Sequence, residues 1–155
     1  MNLILIVDDY LPESGKIAAK MMHELALECI RKGHQVLVIT PDSYQAYDSE
    51  SNHLYQYQGV GVYRFPSGRL KNVSKPIRLV NEILLPYRAW VYGNKMFKSA
   101  SCDLVIYYSP SIFWSYLIKK IKKISGAKSF LILRDFFPQW VIDNGMLKEN
   151  SLLAK

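Results

Sequence analysis

Leu3-Ile4-Leu5-Ile6-Val7 is a continuous apolar run, too short for a helix and rich in branched side chains. It reads as a strand buried on both faces. The polar loop Asp8-Asp9-Tyr10-Leu11-Pro12-Glu13-Ser14-Gly15-Lys16 follows, punctuated by a proline and a glycine. From Ile17 the period changes. Ala18, Met22, Leu25, Ala26, Cys29 and Ile30 fall on one helical stripe, while Lys20, Glu24, Glu28 and Arg31 face away. Arg31 and Lys32 give the helix a basic end, and Gly33 caps it. Val36-Leu37-Val38-Ile39 is a second buried strand. Strand, helix and strand make a right-handed unit with a parallel pair.

That unit locates the chemistry. In an open parallel sheet, ligands bind beyond the carboxyl ends of the strands. The loop from Asp8 to Lys16 is such an end, and it leads into a helix N-terminus whose free N–H groups favour anions. A dinucleotide fingerprint needs three spaced glycines here; only Gly15 is present, so the fingerprint is absent.

At 155 residues the chain is one domain, and half its residues are hydrophobic, so it is globular rather than disordered. Cys29 and Cys102 are isolated and without metal-ligand spacing, which predicts a reducing compartment and no disulfide framework. No apolar stretch reaches membrane-spanning length, and the N-terminus lacks the basic region of a signal peptide. These features predict a cytoplasmic protein. The net charge of +7 is concentrated. Between Arg64 and Lys98 stand Arg64, Arg69, Lys71, Lys75, Arg78, Arg88, Lys95 and Lys98 against one acid, Glu82, and the rest of the chain is balanced.

After Thr40-Pro41-Asp42, residues 43–58 read as a long polar loop with a short strand near Leu54–Gln58. Gly59–Phe65 alternates and predicts a strand. Ser74 and Pro76 then mark a helix start. Apolar residues from Ile77 to Phe97 recur at helical spacing, but Pro86 predicts a break, with a second helix running to Lys98. This segment reads as a solvated amphipathic helix or as one that meets an anionic membrane through Arg78, Arg88, Trp90 and Lys95. Nucleic acid is the weakest of the three readings. Cys102–Tyr108 predicts a strand, Ile112–Ser125 a helix with a lysine-rich outer face ending at Gly126, and Lys128–Leu133 a last strand. Arg134-Asp135 stands at that strand's carboxyl end.

Asp135 is the candidate general base, since such a group must be a carboxylate or imidazole held near a nucleophilic hydroxyl. It reads equally as a helix cap. Asp8 and Asp9 read as loop-ordering acceptors, and His34 as structural. His23 falls near the apolar edge of the first helix, and His53 in the loop. No histidine pair has ligand spacing, so no metal site is expected. No P-loop, Gly-x-Ser-x-Gly or His-Glu-x-x-His is present.

Tyr10-Leu11-Pro12-Glu13-Ser14-Gly15 after the first strand, and Gly33-His34-Gln35-Val36-Leu37-Val38-Ile39-Thr40 after the basic helix end, resemble the opening of family 4 glycosyltransferases with the GT-B fold. Leu133-Arg134-Asp135-Phe136-Phe137-Pro138-Gln139-Trp140 through Gly145-Met146-Leu147 resembles the Asp-Leu-Trp-Pro segment of a subgroup that builds bacterial O-antigen and capsule sugars. With Tyr108-Ser109-Pro110-Ser111, these motifs span most of the chain. The pattern departs from the family's in two places. Gly15-Lys16 stands where two glycines are usual, and Arg134-Asp135 where a histidine commonly precedes the Asp.

The resemblance implies a doubly wound, Rossmann-like α/β sheet with helices on both faces, one half of a GT-B fold. Residues 1–155 would be the N-terminal, acceptor-side domain, with the C-terminal nucleotide-sugar domain absent from this chain and the isolated chain inactive. The implied enzyme is a hexosyl or amino-sugar transferase in O-antigen and lipopolysaccharide synthesis. It would carry a sugar from a nucleotide-sugar to a polyprenyl-diphosphate-linked acceptor at the inner face of the cytoplasmic membrane, without metal or cofactor and without nucleic acid. Ser14, Gly15 and Lys16 would form the loop near the donor phosphates and acceptor. Asp9, Tyr10, Ser109 and Arg134 would line the acceptor cleft, with Asp135 catalytic. The rival is a non-catalytic binding or receiver-like module, suggested by Asp8-Asp9. A receiver, however, needs an Asp ending its third strand and a Lys ending its fifth, where this chain has Phe65-Pro66 and Arg134-Asp135.

Overall fold

The apolar runs pair side by side, because strands apolar on both faces lose water only when layered between helices. The computed structural model describes residues 1–42, 53–70, 72–108 and 112–133. Strands β1 (Asn2–Ile6), β2 (Gln35–Asp42), β3 (His53–Tyr57), β4 (Val60–Pro66), β5 (Leu104–Tyr108) and β6 (Lys128–Ile132) form one sheet in the order β3-β4-β2-β1-β5-β6. Among the described residues the helices are α1 (Ile17–Arg31), α2 (Lys75–Ser99) and α3 (Ser115–Ser125), α3 being preceded by a 3-10 turn, Ile112–Trp114.

Among the described strands only β3 runs antiparallel, as the arm of a hairpin with β4. Its two-residue turn, Gln58-Gly59, has positive φ at both positions (49° and 84°), the geometry whose twist matches the flanking strands. The five parallel strands follow the order of dinucleotide-binding folds, with β1 central between β2 and β5. A receiver domain has a different order, with its third strand beside its first. The receiver-like alternative therefore does not fit this topology.

Alternation along β1 divides the core. Ile4 and Ile6 face Leu85 and Ala89 of α2 and Leu117 and Ile121 of α3, while Leu3, Leu5 and Val7 face Met22 and Ala26 of α1. Helices thus cover both faces, as a doubly wound sheet requires. Leu5 and Ile6 are fully buried on opposite sides, each contributing about 2 kcal/mol of apolar burial.

The helix ends follow local chemistry. Gly33, at φ +80°, donates its N–H to the Ile30 carbonyl while His34 N–H reaches Cys29, a glycine-closed end that satisfies the last carbonyls of α1. Gly126, at φ +72°, closes α3 in the left-handed conformation.

Three expectations need correction. α2 is a single helix of 25 residues with Pro86 inside it, not two helices with a break. Proline removes one N–H and crowds the preceding turn, a local cost of about 3 kcal/mol. Burial of Leu85, Pro86, Ala89 and Phe97 along the same face offsets it. Ser74 is the N-cap residue of α2 as expected, but its side chain makes no cap hydrogen bond. On α1, Ala19 and His23 join Met22 and Ala26 as the buried residues, a stripe rotated slightly from the sequence reading.

Candidate functional site

The sheet turns direction at β1. α1 leads away on one face to β2, and α2 crosses the other face from β4 to β5. The crevice between the two departures opens beyond the carboxyl ends of β1 and β5, where folds of this kind take their ligands. Asp8 stands there, two residues past the end of β1. Trp114, at the end of the 3-10 turn, donates its indole N–H to Asp8 Oδ1 at 2.9 Å. The two residues lie 106 positions apart, one in the segment after β1 and the other in the segment after β5. Trp114 is fully buried, so this bond holds the carboxyl in a fixed orientation.

Burial pushes the Asp8 carboxyl up to about 6 from its ordinary 3.8. The Trp114 hydrogen bond pulls it back down, Asp9 and Glu82 raise it, and Lys16 lowers it. A carboxyl that changes charge near neutrality and is anchored at one oxygen can accept a hydrogen bond or a proton at the other.

Around Asp8, the loop from β1 to α1 divides into an outer rim and an inner anchor. On the rim Lys16 pairs with Asp9, their side chains 63% and 12% exposed. Gly15 is exposed, and a β-carbon there would meet nothing. Ser14 is buried and accepts the Lys16 N–H at 3.4 Å. Lys16 is the N-cap of α1 and provides no side-chain cap, and the first turn carries no acid. The rim therefore presents the backbone donors of the α1 N-terminus, which suit an anion, beside a Lys16 ammonium shared with Asp9.

The inner anchor was not visible in the sequence. Arg64, counted there among surface cations, is buried on β4. Its Nη2 donates to the carbonyls of Tyr10 (3.1 Å) and Leu11 (3.0 Å) and pairs with Glu13, and its Nε donates to Tyr55 Oη at 2.7 Å. Tyr10, expected in the acceptor cleft, is instead fully buried on the α1 side of the sheet. Its hydroxyl donates to His23 Nδ1 at 2.7 Å, and His23 Nε2 donates to Gln58 Oε1 at 2.9 Å. Burial holds the Tyr10 phenol above its ordinary range. Alternation would keep Asp8 and Tyr10, two residues apart, on one face, but β1 ends at Ile6 and the loop carries Tyr10 to the α1 side.

The expected membrane patch also divides. Arg78 is exposed and paired with Glu82 at 2.8 Å, and Lys95 is exposed. Arg88 turns inward instead, donating to the Ser67 carbonyl and, at 3.2 Å, to Asn81 Oδ1. Trp90 is half-buried, stacked with Phe97 and covered by the Lys120 ammonium. Both are thus held against the protein by these contacts and are only partly exposed. Beside these cations α2 exposes a run of apolar side chains: Ile77, Leu79, Val80, Ile83, Leu84, Tyr87 and Val91.

Asp135, Arg134 and Ser109 lie outside the described residues. Among the described residues, no three His, Cys, Asp or Glu side chains converge as a ligand set for a metal ion. Sequence reasoning had Asp8 only as a loop acceptor and did not single out Trp114. The available signal was position: Asp8 is the first polar side chain after a wholly apolar central strand.

No family model matches the chain, and no curated protein matches it. Among solved structures, apo UGT2 of Phytolacca americana, a glycosyltransferase of GT-B type, aligns over 93% of this chain at 11% identity with a TM-score of 0.56. The chain spans 33% of that structure's length. Sucrose-phosphate synthase from Thermosynechococcus elongatus aligns over 94% of this chain and 96% of its own, at 12% identity and a TM-score of 0.41. At the identity to UGT2 the likeness is one of fold. The chain is a doubly wound α/β domain of the kind found in GT-B glycosyltransferases.

Proposed function

We propose that this chain is the acceptor-side half of a glycosyltransferase that carries a sugar from a nucleotide-sugar to a polyprenyl-diphosphate-linked saccharide in bacterial surface-polysaccharide synthesis. The carrying observation is the domain itself, which aligns over nearly all its length with a third of a GT-B glycosyltransferase and holds a polar crevice at its topological switch point. In this reading a second α/β half binds the nucleotide-sugar across the crevice. Departure of the nucleoside diphosphate places developing negative charge near the rim, where the N-terminus of α1 and Lys16 can stabilise it.

The acceptor's lipid accounts for the exposed side of α2. Ile77, Val80, Ile83, Leu84, Tyr87 and Val91 present an apolar stripe, with Arg78 and Lys95 exposed on the same helix. Such a helix lies in the interface of an anionic bilayer with its apolar residues among the acyl chains. No helix among the described residues is long and apolar enough to cross a membrane. The proposed enzyme is thus peripheral, on the inner face of the cytoplasmic membrane.

The test is turnover by the full-length protein, with labelled nucleotide-sugars and a polyprenyl-diphosphate saccharide in vesicles. Transfer to the lipid-linked acceptor is expected, and none from residues 1–155 alone. Activity of the short chain would overturn the two-half reading. Failure of the full-length protein to bind any nucleotide-sugar would overturn the enzyme.

A further inference from the structure

We propose that Asp8 is the acceptor-binding carboxylate of the crevice, with one oxygen fixed by the Trp114 indole and the other taking a hydrogen bond from a hydroxyl of the acceptor saccharide. This rests on the glycosyltransferase reading above and assigns one of its contacts to a residue that the family pattern did not single out.

Three observations support it. First, Asp8 follows the central strand at the point where the crossovers part, so it belongs to the crevice and not to either flank. Second, Trp114 reaches it from the chain segment after β5 and holds Oδ1 at 2.9 Å. The second oxygen makes no hydrogen bond to any described residue. The carboxyl is only half-buried, so this oxygen stays within reach of water and, in its place, of a ligand hydroxyl. Third, among the described residues two of the three charged groups that act on Asp8 are acids, Asp9 on its own loop and Glu82 on α2, and the one cation, Lys16, is paired with Asp9.

A saccharide suits this arrangement. Its hydroxyls are neutral donors, so a carboxylate can bind one without displacing the Lys16–Asp9 pair. A fixed carboxylate also selects the direction from which that hydroxyl approaches. No bond is made or broken at Asp8 in this role, and the proton remains on the hydroxyl. The ionised form is the better acceptor, so binding improves as pH rises through about 6.

The experiment compares full-length wild type with Asp8→Asn and Trp114→Phe, measuring acceptor KM, donor KM and the pH dependence of kcat/KM. Asp8→Asn is expected to raise acceptor KM about 10- to 100-fold, the range for a hydrogen bond to a charged group, with donor KM within about twofold. Its acid limb near pH 6 should vanish. Trp114→Phe removes a donor that favours the ionised carboxyl, so its acid limb should move to higher pH. An Asp8→Asn enzyme whose acceptor KM stays within about threefold of wild type overturns the assignment, as does an equal rise in donor KM. A wild type that turns over no nucleotide-sugar fails before any variant is compared, and overturns the underlying reading together with this one.

Discussion

Replacing Arg64 by methionine tests whether the β1–α1 loop is held from beneath. The Arg64 side chain is 7% exposed, and its guanidinium joins strands β3 and β4 to three positions of the loop, Tyr10, Leu11 and Glu13. Methionine keeps most of the stem's packing and removes every donor. Breaking a buried ion pair from one side costs about 3 to 5 kcal/mol. Glu13 is 42% exposed and can turn to water, and the Tyr10 carbonyl also accepts the Ser14 N–H at 3.2 Å. Both facts pull the value to the low end, so a loss of about 3 kcal/mol is expected. Arg64→Lys retains the charge but not the planar fork, and should lose about half as much. Urea denaturation of the 155-residue chain measures both, and amide exchange reads the loop separately. Amides of residues 10–16 should lose protection in the methionine variant while those of β1 keep theirs. A methionine variant within about 1 kcal/mol of wild type, with unchanged loop protection, would show that the loop orders itself.

Asp8→Asn should stabilise the fold in a pH-dependent way. Because burial raises the Asp8 carboxyl from 3.8 to about 6, wild-type stability from this group is full below about pH 4 and falls as pH rises through 6. The Asn variant avoids that loss, so its advantage should grow from near zero below pH 4 to at most about 3 kcal/mol by pH 7 and then level off. Equal pH profiles for the two proteins would refute the buried carboxyl. For α2, binding to vesicles containing anionic lipid should weaken with salt and in the Arg78→Ala, Lys95→Ala double variant by about fivefold per cation. Val80→Ser and Ile83→Ser should weaken it at any salt concentration, and Arg88→Ala should act mainly on stability, since Arg88 is held by Ser67 and Asn81. Binding indifferent to salt and to all four surface changes would leave α2 as an ordinary solvated helix.

The elements were legible because their causes are local. A run such as Leu3–Val7 can lose water on both faces only inside a parallel sheet, and the glycines at 33 and 126 end helices through their own backbone freedom. These requirements act between near neighbours, and they carried the order of strands and helices with the sheet's doubly wound character. Pro86 shows the limit of local rules: its preference for a break was overridden by burial of the same face of α2 against the sheet and α3.

The candidate site depended on contacts between distant parts of the chain. Tyr10 and Asp8 look alike in sequence, two polar positions of one loop, yet one enters the α1 side of the core and the other the crevice. Arg64 looked like one more surface cation because a charge count carries no depth, and only the pairing of β4 beside β2 puts it beneath the loop 51 residues earlier. Asp8 meets Trp114 across 106 residues. No periodicity encodes that meeting; it exists because β5 pairs with β1 and brings the turn after it over the end of the central strand, where burial then alters the chemistry of the carboxyl.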